Sequence, residues 1–241
     1  MKITDPISII VPAYNEEDRI LPTLESLAVF CEENFNSFEV VCVDDGSTDN
    51  TWDKIRSDSL PDNFRALRSP QNKGKGAAVK FGILNATGKF RFFTDADLPY
   101  GLDAFIDAIR VFQKRNCDVV AGLRDRSRIS NGFSMLTLRN TAGKIFSNIV
   151  KRLIRIESTD TQCGFKAFTG DAAINIFTHL KTNRYAFDVE IFTIAAALGL
   201  TVCDVPVTLT SHTGSKVRLS RDSVYMLKDL FEIALRARRS S

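Results

Sequence analysis

Apolar residues follow two rhythms along the first 123 residues. Short runs rich in Val, Ile and Phe alternate with longer stretches in which apolar positions recur every three or four residues. Residues 7–11 (Ile-Ser-Ile-Ile-Val) predict a first strand. Ile20, Leu21, Leu24, Leu27, Ala28 and Cys31 then mark a helix. Residues 39–43 predict a second strand, and a second helix opens over 51–57. Residues 65–68 predict a short third strand. A helix is expected over 75–85, with Ala77, Ala78, Phe81 and Leu84 facing inward. Residues 90–94 predict a fourth strand, 102–114 a helix and 118–122 a fifth strand. This alternation predicts an α/β fold: a Rossmann-like, mostly parallel central sheet flanked by helices. Ligands of such sheets bind beyond the carboxyl ends of the strands.

Polar clusters stand at those ends. Pro12-Ala13-Tyr14-Asn15-Glu16-Glu17 follows the first strand and Asp44-Asp45-Gly46-Ser47-Thr48-Asp49 the second. Asp95-Ala96-Asp97 follows the fourth, and Arg124-Asp125-Arg126 the fifth. Asp95 and Asp97, one residue apart where a strand becomes a loop, suit a divalent cation held against a diphosphate. Alone, such a pair is also an ordinary solvated or capping pair. Its weight comes from four polar loops sharing one sheet edge.

Asp44 ends an apolar strand, and a buried carboxylate needs a partner. It, or Asp45, would accept hydrogen bonds from a base or ribose. Ser47 and Asp49 read as turn and cap residues. Tyr14 offers a flat face for a base. Glu16 serves equally as a ligand or as a helix cap. Lys73-Gly74-Lys75-Gly76 lacks the spacing of a Walker loop; it suits either phosphate contact or a solvated turn.

Composition narrows the classes. The 241 residues are 44% hydrophobic and 25% charged, with a net charge of +3. That charge gives no footprint for nucleic acid, which is not expected as a partner. Five cysteines, none in a Cys-x-x-Cys pair, suit reduced, buried thiols in a cytosolic protein. With only two histidines, His179 and His212, ligation of metal by cysteine is not expected. No basic leader precedes the first strand, so no signal peptide is expected. The weakly polar stretch 191–203 is shorter than the roughly 20 residues a membrane span needs.

Three strings, Val11-Pro12-Ala13-Tyr14-Asn15-Glu16, Val43-Asp44-Asp45-Gly46-Ser47-Thr48-Asp49 and Thr94-Asp95-Ala96-Asp97, together resemble the family 2 glycosyltransferases of the GT-A fold. Asp160-Thr161-Gln162-Cys163-Gly164-Phe165-Lys166, Phe187-Asp188-Val189-Glu190 and Gly214-Ser215-Lys216 narrow the resemblance to the polyprenyl-phosphate sugar transferases. The dolichyl-phosphate glucosyl branch is nearer than the mannosyl one. The likeness spans nearly the whole chain, and the Asp160–Lys166 string is its most specific part.

The resemblance implies a metal-dependent, inverting transfer of a hexose to a polyprenyl (dolichyl or undecaprenyl) phosphate, with UDP-glucose the first choice of donor. It implies that Pro12, Tyr14, Glu16 and Asp44 hold the nucleoside. Asp95 would contact ribose or metal, Ala96 would contact through its backbone, and Asp97 would ligate Mg²⁺ or Mn²⁺. Arg124 and Arg139 would bind the acceptor phosphate, while Ser215 and Lys216 would lie on a loop closing over the diphosphate. Asp160 would orient the acceptor or an arginine, or act as base for a hydroxyl acceptor. Asp188, in an acceptor-side motif, reads equally as an acceptor-side acid or as a structural residue, a cap or arginine partner. The chain departs from the mannosyl relatives at Pro99, where they carry a metal-ligating glutamine, and it shows no membrane helix of the kind the glucosyl relatives carry.

Residues 124–155 carry eight basic side chains opposed only by Asp125. Their apolar residues are spaced for basic amphipathic helices on the acceptor side. Such helices fit either a headgroup layer or an ordinary solvated face. Tyr225–Arg239 has the same character and suits a membrane surface or a second subunit. The expected organisation is one domain over 1–241, with a nucleotide-binding half (1–123) and an acceptor-binding half (124–241). It would be cytoplasmic and peripheral on the cytosolic face of a membrane, with a membrane-anchored partner or a homo-oligomer as further means of attachment. A family 2 enzyme using another nucleotide sugar or a glycan hydroxyl, and a non-catalytic sugar-nucleotide-binding protein, are the alternatives.

Overall fold

The computed structural model describes residues 2–57, 59–124, 160–209 and 219–239. Its elements run β1 (Ile7–Ala13), α1 (Ile20–Asn34), β2 (Phe38–Asp44), α2 (Thr51–Ile55), β3 (Phe64–Arg68), α3 (Lys75–Asn85) and β4 (Phe90–Phe93). Then come α4 (Asp103–Lys114), β5 (Val119–Arg124), β6 (Lys166–Thr169), α5 (Gly170–His179), α6 (Phe187–Ala197), β7 (Val202–Val207) and α7 (Leu219–Arg239).

The strands form one seven-stranded sheet in the order β3-β2-β1-β4-β6-β5-β7. All neighbours are parallel except β6, which runs antiparallel to both β4 and β5. Strands covered on both faces read as continuous apolar runs, because successive side chains alternate between two buried layers. Ile9 and Phe92 face a cluster with Leu24 of α1 and Phe105 of α4. Ile10 and Phe93 face the other way, toward Val79 of α3, Phe177 of α5 and Phe187 of α6.

α3 has the expected bounds but a different inward face. Gly76, Ala78, Val79, Gly82 and Ile83 are buried, while Phe81 and Leu84 stand exposed. The helix packs through a glycine that an apolar count overlooks: a Cβ on Gly82 would lie 2.5 Å from Ile10. Van der Waals contact there leaves no room for a bulkier side chain.

The expectation of five reduced thiols fails at one pair. Cys117 and Cys203 form a disulfide across 86 residues, with Cα atoms 6.1 Å apart. The parallel pairing of β5 with β7 brings them together, and spacing along the chain carries no sign of it. Cys31, Cys42 and Cys163 are free and buried. Burial, with the Glu32 charge adding to it, pushes the Cys31 thiol up to about 12, so it stays protonated.

α7 packs on α6 through Leu230 and Ile233 against Ala186 and Val189. Phe231 and Leu235 are exposed. The basic stretch 125–155 lies outside the described residues. Among the described residues no helix is long and apolar enough to cross a membrane.

Candidate active site

The carboxyl ends of β1, β2, β4 and β5 share one edge of the sheet. Because β6 is antiparallel, its amino end reaches the same edge and brings residues 160–166 beside the other loops.

After β1, the chain turns through Asn15 at φ 53°, a left-handed conformation that asparagine adopts more readily than most residues. Neighbouring side chains hold the turn. The Asn15 N–H donates to Ser47 Oγ at 2.9 Å and the Glu16 N–H to Thr51 Oγ1 at 2.7 Å, while Asn15 Oδ1 accepts from the Thr48 N–H at 2.9 Å. Pro12 lies in β1, and Tyr14 stands exposed at the edge. The Glu16 carboxylate pairs with Arg19 Nε at 2.9 Å.

Asp44 and Asp45 divide their labour. Asp45 accepts the Lys73 and Gly74 N–H groups at 3.0 and 2.7 Å and so pins the loop before α3. Burial, its leading influence, raises the Asp45 pKa. Asp44 is fully buried; its Oδ1 accepts the Ser47 N–H at 2.9 Å. Arg68 Nε lies 3.0 Å from Asp44 Oδ2, yet no N–H points at that oxygen and it accepts no hydrogen bond. Asp44 Oδ2 is thus held by the Arg68 charge alone and keeps its capacity to accept a hydrogen bond, as a base-reading carboxylate needs. Asp49 caps α2, accepting the Thr51 and Glu17 N–H groups at 3.0 and 3.2 Å.

The loop after β4 sets the two carboxylates. The Ala96 carbonyl accepts from Thr23 Oγ1 of α1 at 2.6 Å. The Asp95 carbonyl accepts the Leu98 N–H at 3.1 Å, and Leu98 turns with φ 43°. Asp95 forms an ion pair with Lys75, the first residue of α3, and Arg19 Nη1 lies 3.8 Å from Asp97 Oδ2. Burial and then the neighbouring Asp95 charge raise the Asp97 pKa. Such a crowded carboxylate pair is relieved by a cation.

The segment before β6 closes over this loop. The Gly164 N–H donates to the Tyr100 hydroxyl at 3.1 Å. A Cβ on Gly164 would overlap the Asp95 carboxylate, lying 2.9 Å from its Cγ. Asp160 is buried and grips Arg124 at the end of β5, accepting Nε at 2.6 Å and Nη2 at 2.7 Å. This bidentate pair fixes the guanidinium plane and raises the Arg124 pKa. Of the alternatives for Asp160, orienting an arginine is the one its contacts match.

A model of the glycosyl transferase family 2 matches residues 8–177. The chain belongs to that family. It is 37% identical over 245 residues to the dolichyl-phosphate beta-glucosyltransferase of Dictyostelium discoideum, covering 95% of this chain and 74% of that protein. The Saccharomyces cerevisiae protein of the same name is 34% identical over 95% of this chain and 74% of its own length. The human one is 30% identical over 97% and 76%. A crystal structure of Mycobacterium tuberculosis glucosyl-3-phosphoglycerate synthase, in complex with Mn²⁺, UDP and glucosyl-3-phosphoglycerate, superposes with a TM-score of 0.72 at 17% identity. It covers 95% of this chain and 80% of that one, and establishes the GT-A fold.

Within this family 2 glycosyltransferase, the edge unites Pro12, Tyr14, Glu16, Asp44, Asp95, Ala96, Asp97, Arg124 and Asp160. Arg139, Ser215 and Lys216 lie outside the described residues. Among the described residues, the partner of Asp188 is a lysine rather than an arginine. Asp188 Oδ1 accepts from Lys166 Nζ at 2.6 Å, inside the protein. Lys166 is the residue that sequence reasoning missed. A lysine opening a four-residue strand gives no local sign of complete burial. Thr23 and Tyr100 were missed as well, because their polar atoms act across the fold on backbone groups far along the chain.

Proposed function

We propose that this chain transfers glucose from UDP-glucose to the phosphate of a polyprenol, with inversion at the sugar. The packing of Gly164 against Asp95 carries the reading. It joins the two-carboxylate loop shared across the family to the segment held in common with the polyprenyl-phosphate branch, and the relatives at 30–37% identity bear the name dolichyl-phosphate beta-glucosyltransferase.

Asp44 and the turn at Tyr14–Glu16 hold the nucleoside. The acceptor phosphate is already anionic near neutral pH, so an oxygen of that phosphate attacks the sugar carbon directly. The bond from that carbon to the donor diphosphate breaks, and UDP leaves with the electron pair. Arg124, held by Asp160, orients the acceptor oxygens together with Arg139; a rigid guanidinium fork suits phosphate. The resemblance gives Ser215 and Lys216 contact with the donor diphosphate. Catalysis is then mainly positioning and charge stabilisation.

Asp95 and Asp97 fit a divalent cation. Mg²⁺ or Mn²⁺ takes hard oxygen ligands, commonly one or two carboxylates completed by substrate phosphate and water, and Pro99 adds no side-chain ligand of its own. Such an ion would offset the charge that builds on the leaving diphosphate. A hydroxyl acceptor would need a free carboxylate as base. Asp160 is committed to Arg124 and Asp188 to Lys166, which favours the phosphate acceptor. The site works at the cytosolic surface of a membrane, where the lipid acceptor lies.

The test is transfer of labelled sugar by purified protein with Mg²⁺ or Mn²⁺ and a short polyprenyl phosphate. UDP-glucose, UDP-N-acetylhexosamine and GDP-mannose run in parallel. A lipid-soluble, acid-labile product from UDP-glucose is expected. Product from a different donor reassigns the sugar, and no product alongside firm nucleotide binding overturns the acceptor.

A further inference from the structure

Four charged side chains alternate in sign from the core to the donor edge. Lys166 is fully buried, sandwiched by the rings of Phe93 and Phe192 at 5.3 and 5.5 Å. Its ammonium donates to the Cys163 carbonyl at 2.7 Å and to Asp188 Oδ1 at 2.6 Å. Asp188 stands in the first turn of α6, which packs on the first turn of α3: a Cβ on Gly76, the neighbour of Lys75, would lie 2.7 Å from Cβ of Phe187, the neighbour of Asp188. Asp188 feels the Lys75 charge as well as that of Lys166. Lys75 in turn pairs with Asp95.

This order poses an electrostatic problem for a cation site. An ammonium seated on Asp95 repels a divalent ion arriving at the same carboxylate, and in a partly buried site that repulsion is poorly screened. Lys75 needs a second negative group to face. Asp97 also feels the Lys75 charge but belongs to the same cation site, which leaves Asp188 as the carboxylate outside it whose charge acts on Lys75.

We propose that Asp188, fixed by Lys166, is the second seat of the Lys75 ammonium: Lys75 neutralises Asp95 when no cation is bound and turns toward Asp188 when one arrives. Lys166 and Asp188 are then positioning residues for metal binding, although neither touches the ion. The inference rests on the reading of Asp95 and Asp97 as a divalent-cation site.

The experiment replaces the buried pair together, Lys166→Met with Asp188→Leu. Breaking such a pair singly strands a charge, whereas apolar replacement of both partners is commonly tolerated. Mn²⁺ binding in the presence of UDP is followed by electron paramagnetic resonance, with thermal unfolding alongside. The expected result is a melting temperature near that of the unaltered chain and an Mn²⁺ Kd raised about tenfold, within the coupling range of contacting charged groups. In a Lys75→Met background the same pair of replacements changes the Kd by less than about twofold, because the residue that uses Asp188 is gone. An unchanged Kd in the first background, or an equal rise in both, overturns the proposal. Lys75→Met alone leaves the buried pair intact and tests the idea even if the apolar pair fails to fold. It should tighten Mn²⁺ binding in the absence of UDP, and weaker binding overturns the proposal. No Mn²⁺ binding by the unaltered chain overturns the donor-site reading itself, and this inference with it.

Discussion

Replacing Gly164 by alanine should disable the site while sparing the fold. Gly164 is not among the glycines held at positive φ, so its backbone accommodates alanine. The difficulty is space. The added methyl would overlap the Asp95 carboxylate, 2.9 Å from Cγ and 3.4 Å from Oδ1. Overpacking of this kind costs about 1–3 kcal/mol. The least costly relief is rotation of Asp95 away from the loop, which also loosens its ion pair with Lys75. On the proposed reading, a cation held by Asp95 and Asp97 would contribute several kcal/mol to the transition state. Losing about 3–4 kcal/mol of that slows turnover by about 10²–10³-fold. Stability should fall only enough to lower the melting temperature by a few degrees, at about 2–4 °C per kcal/mol for a domain of this size. The assay is initial-rate transfer from UDP-glucose to a short polyprenyl phosphate with saturating Mn²⁺, beside calorimetric melting of the same sample. Turnover within about threefold of the unaltered chain in a folded variant, under 1 kcal/mol, would refute the argument.

Three further outcomes follow from the contacts. Asp97→Ala should abolish metal-dependent turnover with the fold retained; unchanged activity would remove the cation assignment. Arg124→Lys keeps the charge but loses the fork on Asp160, so the acceptor KM should rise about tenfold or more while UDP binding holds; weakened UDP binding would move Arg124 to the donor side. Glu39 has a lowered pKa: burial opposes its ionisation, but hydrogen bonds from Ser8, Thr87 and Arg65 outweigh burial. Its contribution is complete above its ordinary value of 4.5 and is lost as pH falls through the lower folded value. The stability gap between the unaltered chain and Glu39→Gln should therefore be present at neutral pH and close in acid; urea melts at several pH values measure it.

Local pattern carries most of the first half. β1, β2, β3, β4, β5, α1, α3 and α4 fall within a few residues of their expected places, because β1, β2, β4 and β5 bury residues on both faces, the edge strand β3 is partly covered, and each helix buries one face. The placement of Asp95, Asp97 and Asp44 at one sheet edge was legible from the same pattern, since each follows directly on or closes an apolar strand. What was not legible depends on contacts between distant segments. Nothing local says that Lys166 is buried, that β6 runs against its neighbours, or that Cys117 meets Cys203. The inward face of α3 was misassigned because its closest approach is made by Gly82, which has no side chain to count. Asp45 looked as able to read a nucleoside as Asp44, and only the Lys73 and Gly74 N–H groups it accepts separate them.

The reversed strand β6 has a consequence for how such proteins diversify. The chain leaves the sheet at Arg124 and re-enters through Asp160 at the same edge, and these two residues clasp each other across the neck of the excursion. With its two ends clasped, the connection could vary in length and sequence without shifting the register of any strand, and those ends would stay anchored beside Asp95 and Asp97. If the proposed assignment of the two halves holds, a scaffold wired this way would exchange one acceptor for another by replacing a single contiguous insert, and the chemistry at the donor end would be inherited unchanged.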